Sequence, residues 1–326
     1  MAWRLKLVPE KTNWDFFQWA YLTFGISVVA IVASIILVAV MGLNFGIDFK
    51  GGTTIRTEST QVVDVGGYRH ALDGLKMGDV SVTEVFDPTF RADQHVAMIR
   101  IQAQEGQEAL APDAVARVQT ALQAVAPDVK FASVETVGPK VSGELIKSAI
   151  LSVLAATTAI CVYVWLRFEW QFSLGAVASL IHDVVVTVGI FALFRIKFDL
   201  TTIAALLTIL GYSINDTVVV FDRLRENLMK YKTMPLRDVM NLSVNETLSR
   251  TLMTSGTTLV SLSALLIFGG DVIRSFVFAI FLGILLGTYS SIYVAKNIVL
   301  YLGVKRDWSK PSDDTGPKGT QFATGK

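Results

Sequence analysis

One aspartate interrupts an otherwise apolar stretch of the sequence. Asp216 lies in GYSINDTVVVFDRLREN, residues 211–227, about six residues before Asp222. At 1.5 Å per helical residue, this spacing puts Asp216 roughly 9 Å inside a membrane boundary near Asp222. An ionised Asp at mid-membrane costs about 2.5 to 3.5 kcal/mol, so the group should bind a proton, pair with a cation or face water. Asp216 is therefore a candidate proton carrier, and an interfacial capping or packing carboxylate is the alternative.

Hydroxyl side chains share the predicted helical face of Asp216. Tyr212 and Ser213 precede it by one helical turn, and Val220 follows it by one turn. Residues at these spacings are neighbours on a helix. We therefore expect the two hydroxyls to hydrogen-bond the carboxylate or to hold water beside it.

Arg250 opens the next apolar stretch, in SRTLMTSGTT, residues 249–258. Consecutive spans cross a membrane in opposite directions, so the end of one and the start of the next lie at similar depth. We therefore expect Asp216 and Arg250 to be neighbours. Protonation of Asp216 would remove the attraction between them, so one proton could select between two helix arrangements. A snorkelling, positive-inside arginine is the alternative.

His182 and Asp183 lie near the middle of a third apolar stretch. Adjacent residues point about 100° apart on a helix, so these two side chains need not contact each other. Each still requires polar surroundings inside a membrane bundle. A proton relay is one reading. A neutral His bonded to a neighbouring span, beside a buried protonated Asp, is the other.

Six stretches are long and apolar enough to cross a hydrocarbon core of about 30 Å. The chain has 326 residues, of which 52% are hydrophobic and only 17% are charged, as expected of a membrane protein. We predict spans at 18–41, 148–166, 172–194, 200–221, 251–268 and 276–300. Between the fourth and fifth spans, an irregular apolar stripe predicts a separate helix along the inner membrane surface; its members are Leu236, Val239, Met240, Val244 and Leu248.

Basic residues in the short loops predict that both chain termini are cytoplasmic. Residues 1–17 are then the cytoplasmic amino terminus, with 18–41 as an uncleaved first span. Residues 42–147 form an external, periplasmic domain, and 148–307 complete the membrane bundle. Residues 308–326 are rich in Gly, Pro, Ser, Thr, Asp and Lys, which predicts a disordered cytoplasmic tail.

The external segment alternates strand and helix patterns. We predict strands at 53–57, 80–86, 96–102 and 129–137, and helices at 62–75 and 112–125. The order βαββαβ is typical of a ferredoxin-like α+β domain. The predicted fold class is thus an α-helical membrane protein with six spans and one external ferredoxin-like domain. If both helices cover one face of the sheet, the other face is free to contact a partner.

Several functions are excluded by what the sequence lacks. There is no Walker loop, no HExxH motif and no nucleophile elbow, so we predict no enzyme activity and no cofactor or metal. Cys161 is the only cysteine, so an internal disulfide and a thiolate cluster are both excluded. The net charge of +1 gives no overall field to attract nucleic acid. Any work must draw on an ion gradient or a partner.

Six motifs in order resemble those of SecF proteins in the SecD/SecF family, within the resistance, nodulation and division superfamily. They are GLNFGIDFKGGT at 42–53, VGPKVSGEL at 137–145, GYSINDTVVVFDRLREN, SRTLMTSGTT, FGG at 268–270 and SSIYVA at 290–295. The resemblance implies an accessory subunit of the Sec translocase in the bacterial inner membrane that uses the proton motive force. The implied partners are SecD, the SecYEG channel, SecA acting upstream, the exported polypeptide and membrane lipid.

The resemblance also implies site residues. Proton coupling falls on Asp216 and Arg250, and more weakly on His182 and Asp183. Tight turns fall on Gly46, Gly51 and Gly52, with Asp48 as a local turn acceptor rather than a catalytic acid. The remaining motif or structural residues are Gly211, Asn215, Gly256, Gly283 and Gly287.

Two questions remain open in the sequence. Gly283 and Gly287 have the GxxxG spacing of close helix packing, either within this chain or against a second membrane subunit. One alternative function is a superfamily exporter of small molecules or lipids, and another is a scaffold that only stabilises the channel. Such exporters usually hold both halves of the bundle in one chain, whereas this chain has one half.

Overall fold

The computed structural model describes residues 12–75, 77–78, 80–102, 110 and 112–304. Six helical stretches within these residues are long and apolar enough to cross a membrane. They form one bundle. A four-stranded sheet with two helices, the sheet domain, lies at one end of it. The predicted fold class is confirmed. Residues 1–11 and the predicted tail, 308–326, lie outside the described residues.

The helices and strands follow the predicted order. In chain order, the helices are α1 (Ala20–Met41), α2 (Ile47–Lys50), α3 (Val65–Asp73), α4 (Pro112–Gln123), α5 (Pro139–Arg167), α6 (Trp170–Leu193), α7 (Leu200–Lys230), α8 (Leu236–Phe268), α9 (Asp271–Ser290) and α10 (Lys296–Leu302). A π-helix, Ser291–Ala295, joins α9 to α10 within the last span. The strands are β1 (Asn44–Phe45), β2 (Gly52–Ser59), β3 (Val80–Val85), β4 (His95–Gln102), β5 (Lys130–Val137) and β6 (Lys197–Phe198).

The domain that the sequence predicts to be external, which we call the external domain, is a ferredoxin-like sheet covered by α3 and α4. Its strand order is β3-β4-β2-β5, with antiparallel neighbours throughout. Ile55 of β2 lies opposite Ile99 of β4, and both are fully buried against Leu72, Val118 and Leu122. Successive residues of a strand point to opposite faces of the sheet. The residues that precede and follow Ile55 and Ile99 therefore lie on the other face.

A second, two-stranded sheet joins the external domain to the bundle. β1 follows α1 and pairs in parallel with β6, which precedes α7. The side-chain amide of Asn44 donates to the backbone oxygen of Arg195 at 2.8 Å, and the rings of Phe45, Phe49 and Phe198 pack together. This pair was not predicted, because two residues are too few to show a strand pattern.

The second and fourth spans are longer than predicted. Helix α5 begins at Pro139 rather than at residue 148, with the proline in its first turn, where the missing N–H has no helical partner to lose. Helix α7 continues past residue 221 to Lys230. The charged residues near these ends hid the continuation, because hydropathy reports the membrane boundary and not the helix boundary.

The prediction of a separate helix along the membrane surface is wrong. The residues of its stripe belong to α8, one unbroken helix of 33 residues that continues into the fifth span. Val239 and Met240 are buried against α7 and the last span, and Val244 and Leu248 against Phe16 and Ile292. No Gly or Pro lies between Leu236 and Arg250 to end the helix.

Small residues bring α9 against α7. A Cβ added at Gly283 would overlap the side chain of Ile209, and one added at Gly287 would lie 3.1 Å from the Cβ of Ser213. Of the two packing partners left open by the GxxxG spacing, the structure places this face against a helix of the same chain.

Candidate functional site

A buried polar cluster lies between α6, α7 and α9. Asp183 is fully buried, and its Oδ1 lies 2.9 Å from the Nδ1 of His182. Its Oδ2 accepts hydrogen bonds from Ser213 at 2.6 Å and from Ser290 at 2.8 Å. Ser179 donates to Ser290 at 2.8 Å. One carboxyl group thus connects three spans. Its hydrogen bonds are those that a buried polar group requires.

His182 and Asp183 do contact each other, although their spacing did not require it. The hydrogen bond joins adjacent side chains on one helix, and both side chains are almost completely removed from solvent. The ring of His182 also lies 6.0 Å from that of Tyr289. The pair therefore has the polar surroundings that the sequence demanded, supplied mainly by serines of the neighbouring spans.

Asp216 lies nearby on α7 but has few hydrogen-bond partners. It is 4% exposed, and its one hydrogen bond among the described residues comes from Ser255 of α8 at 3.4 Å. Thr288 of the last span donates to that serine at 2.9 Å. A carboxylate needs several donors to keep its charge away from water. Asp183 has three hydrogen-bond partners, whereas Asp216 has one long one.

Arg250 lies close enough for its charge to act on Asp216. Among the described residues, however, no ion pair joins the two side chains, and Arg250 is exposed on the outer surface of α8. The expected neighbourhood is thus present, without direct contact. In this conformation the arginine faces away from the interior of the single chain.

The expected hydrogen bonds from Tyr212 and Ser213 to Asp216 are absent among the described residues. Ser213 donates to Asp183 instead, and the hydroxyl of Tyr212 lies 3.3 Å from that of Thr258. Both lie one turn from Asp216, but α7 packs against several helices, and each hydroxyl faces a different neighbour: Ser213 faces α6, and Tyr212 faces α8. The hydroxyl that does reach Asp216 belongs to Ser255, in the SRTLMTSGTT motif.

Two carboxylates hold the amino-terminal end of α7. Asp48 accepts a hydrogen bond from the backbone N–H of Leu200 at 3.0 Å, and Asp199 accepts one from that of Thr202 at 3.1 Å. Asp48 is therefore not a local turn acceptor, since its partner lies 152 positions away at the start of the fourth span. Burial alone would raise the pKa of Asp199, but the Thr201 hydroxyl and the Lys197 ammonium outweigh it and lower that pKa. Negative charge at this end stabilises the helix.

The motif glycines have different surroundings. Gly51 and Gly52 have φ values of 73° and 140°, which favour glycine. Gly46 has an ordinary φ, but a Cβ there would lie 3.1 Å from the side chain of Lys197. A Cβ added at Gly211 or at Gly256 would have no other atom within 4 Å. Asn215, like Gly211, is exposed on α7, so this part of the motif faces outward.

Sequence reasoning missed three residues. Ser179 was not singled out, and Ser290 was named only as the first residue of the SSIYVA motif, because serines are common in membrane helices. Lys296 was also missed, although a lysine inside a predicted apolar span is a recognisable signal. It lies four residues before the predicted end of that span at residue 300. Among the described residues, no three His, Cys, Asp or Glu side chains are grouped as metal ligands would be.

Six spans and buried acids inside the bundle they form define a multi-pass membrane protein. Two family models match the chain: "Protein export membrane protein SecD/SecF, C-terminal" over residues 117–305 and "SecD/SecF GG Motif" over 36–61. The chain belongs to the SecD/SecF family of protein export membrane proteins.

Relatives named Protein translocase subunit SecF are similar over almost their whole length. The one from Cereibacter sphaeroides is 69% identical over 99% of both chains, and the one from Rickettsia akari is 39% identical over 90% of this chain and 94% of its own. A crystal structure of SecDF from Thermus thermophilus, described as a translocon-associated membrane protein, matches with a TM-score of 0.79 and 33% identity. The match covers 91% of this chain and 39% of that one. This chain therefore corresponds to under half of the SecDF polypeptide.

Proposed function

We propose that this chain is an accessory subunit of the Sec protein translocase that pairs with SecD and uses the proton motive force to promote protein export. The proposed proton role rests on the surroundings of Asp216. It is a nearly fully buried carboxyl group with one long hydrogen bond, and it lies within the field of an arginine on the next span. Such a group favours binding a proton whenever the arginine moves away, and favours releasing it when the arginine approaches.

The energy available to such a step is adequate. One elementary charge crossing 100 mV releases about 2.3 kcal/mol. Since about 1.4 kcal/mol corresponds to a tenfold change in an equilibrium constant, one proton shifts a two-state equilibrium roughly 40-fold. The proposed states differ in whether Arg250 approaches Asp216, which requires α7 and α8 to move relative to each other.

A polar outer surface on α7 and α8 supports a second membrane subunit as partner. Arg250, Thr254, Thr257 and Ser261 follow each other at helical spacing on α8 and are all exposed. Lipid tails would leave such a stripe poorly solvated, whereas small and hydroxyl residues are typical of contacts between membrane helices. Thr208, Gly211 and Asn215 form a similar exposed row on α7. We propose that these two rows face SecD.

We place the chain in the bacterial inner membrane, with both termini cytoplasmic and the sheet domain periplasmic. The positive-inside pattern supports this orientation. We further propose that the chain acts with the SecYEG channel, after SecA, and that the uncovered face of the external sheet contacts the exported polypeptide. Residues 42–147 are then the periplasmic domain and 148–307 the rest of the membrane bundle. No role as an enzyme or in nucleic-acid binding follows from the site.

The test is export in cells whose only copy of the protein carries Asp216→Asn, measured with and without a proton gradient. Export that depends on the gradient should be lost, while purification with SecD should be unchanged, because Asn fills the same space without exchanging a proton. Asp222→Asn is the matched control. It lies on the same helix, half-exposed, and is paired with Arg167 at 3.0 Å, so gradient-dependent export should persist. Normal export with Asp216→Asn would refute the proton role.

A further inference from the structure

Lys296 is buried in the last span. It is only 1% exposed, which places it among the least exposed of the described residues, and its Nζ has no hydrogen-bond partner among them. It directly follows the π-helix Ser291–Ala295. π-Helices occur frequently at functional sites. Burying an ionisable residue inside a membrane bundle costs free energy, and such residues usually mark functional sites.

Three aromatic rings surround the amine of Lys296. Its Nζ lies 4.1 Å from the ring centre of Phe17, 4.9 Å from that of Phe16 and 5.5 Å from that of Tyr293. These distances are those of cation–π contacts, which attract a charged ammonium through the negative face of each ring. A neutral amine has no such attraction. The strength of this cage therefore depends on whether Lys296 carries its proton.

The cage is closed by the segment before α1, which also binds α8. The side-chain oxygens of Asn241 and Asn245 accept hydrogen bonds from the backbone N–H groups of Phe16 and Trp14, each at 2.9 Å. Asp15 pairs with Arg237 at 3.0 Å. Residues 14–17, which we call the inner clasp, thus join the start of α8 to the last span at the end of the bundle away from the sheet domain.

We propose that Lys296 is a second charge-dependent residue of the export cycle, which positions the inner clasp. In its ammonium form it holds Phe16 and Phe17, and with them ties α8 to the last span. When the ammonium gives its proton to water, the neutral amine no longer attracts the rings, and the clasp can release α8. The proposal rests on the proposed function only in linking this release to the movement of α8 relative to α7.

The charged groups around Lys296 fit this role. Asp15 is the anion whose charge acts on the lysine, but it is already engaged by Arg237 and makes no ion pair with Lys296 among the described residues. Tyr293, on the lysine's own span, faces it through its ring. The lysine is thus held by rings rather than by a carboxylate, so the neutral form leaves no unpaired anion behind.

The test is hydrogen exchange at the amides of Trp14 and Phe16 in the full-length protein. In Lys296→Met, which keeps an apolar side chain of similar length, exchange at both amides should speed up at least about tenfold. In the wild type, protection should fall as pH rises from neutral to alkaline, after correction for the intrinsic exchange rate. Lys296→Arg, which keeps a cation, should preserve protection across that range.

Lys230→Met is the matched control. Lys230 lies 5.0 Å from the ring of Tyr231, is exposed, and is distant in sequence from the clasp, so its loss should leave both amides protected. Phe17→Leu keeps an apolar side chain but removes the closest ring, and should reproduce the effect of Lys296→Met. Protection that is unchanged in Lys296→Met and Phe17→Leu, or that does not vary with pH in the wild type, would overturn the proposal. Because exchange is measured without export, it can fail or succeed independently of Asp216.

Discussion

Phe86 and Asp271 exchange two hydrogen bonds across the boundary between the external domain and the bundle. The N–H of Phe86 donates to the Oδ2 of Asp271 at 2.9 Å, and the N–H of Asp271 donates to the backbone oxygen of Phe86 at 3.0 Å. Phe86 directly follows β3, and Asp271 begins α9. The sheet therefore contacts the hairpin between the fifth and sixth spans, in addition to its root at β1 and β6.

The hydrogen bond from the Phe86 N–H should be lost in Asp271→Ala, whereas the bond from the backbone N–H of residue 271 to the Phe86 oxygen can remain. We expect hydrogen exchange at the Phe86 amide to accelerate about tenfold or more, because hydrogen bonds to charged groups contribute about 1.5–3 kcal/mol. Arg274→Gln is the control, since it removes the ion pair of Asp271 with Arg274 but leaves the acceptor of Phe86 in place. Equal acceleration in both variants would contradict the assignment of the contact to the Asp271 carboxylate.

Gly283→Ala should destabilise the bundle. The added methyl group would overlap Ile209, and overpacking of this kind costs about 1–3 kcal/mol. Gly256→Ala adds the same methyl group on α8, where nothing lies within 4 Å, and should be neutral or stabilising by up to about 1 kcal/mol through helix propensity. Thermal unfolding in detergent measures both variants. Similar midpoints for the two would show that α7 and α9 are not held at this distance.

Ser290→Ala should weaken the polar cluster around Asp183. It removes one of the donors to Oδ2 and the acceptor of the Ser179 hydroxyl, so we expect a loss of about 1–3 kcal/mol in the free energy of unfolding. Ser291→Ala is the matched control. Its hydroxyl is equally buried but donates only to Thr288, within its own helical stretch. Unfolding of both variants in detergent should rank Ser290→Ala well below Ser291→Ala, and the reverse ranking would count against the cluster.

Acid should loosen one corner of the external domain at Asp128. Hydrogen bonds from the hydroxyl and backbone N–H of Thr60, and from the Ser59 hydroxyl, lower the pKa of Asp128 to about 2. The folded-state pKa lies below the unfolded value of about 3.9, so the stabilisation is complete above pH of about 4. It is lost as pH falls through about 2.

Exchange of the Thr60 amide, followed from about pH 5 to about pH 2, measures this effect. Asp128→Asn should remove the acid-dependent step, and Thr60→Val, which deletes one donor, should move it to higher pH. A step that persists unchanged in Asp128→Asn would assign the acid sensitivity to another group.

Local sequence patterns predicted the external domain well. Each strand and helix of its βαββαβ order was confirmed within a few residues, because its strands and helices have recognisable patterns, as in β3, where Val80 and Val82 flank the polar Ser81. The six spans were also predicted from local sequence, because a run of about 20 apolar residues is a clear signal of a membrane helix. Helix ends were less predictable, as Pro139 and Lys230 show.

Contacts between distant elements could not be predicted. The bond from Leu200 to Asp48 joins residues 152 positions apart, and no periodicity reports such a pair. Tyr212 and Ser213 were placed correctly on the helix but given the wrong partner, because helical spacing fixes direction and not what lies there. The roles of Asp216, Arg250, His182 and Asp183 remain predictions for the experiments above.

The length of α8 has a mechanical consequence. Its 33 residues span about 50 Å, well beyond a hydrocarbon core of about 30 Å, so it is a rigid rod that emerges from the bilayer. Asn241 and Asn245 lie near one tip, Gly269 and the hairpin touching Phe86 at the other, and Arg250 between them. A tilt of such a rod about its middle would move its two tips in opposite directions, so the inner clasp at one tip and the sheet domain at the other would shift together.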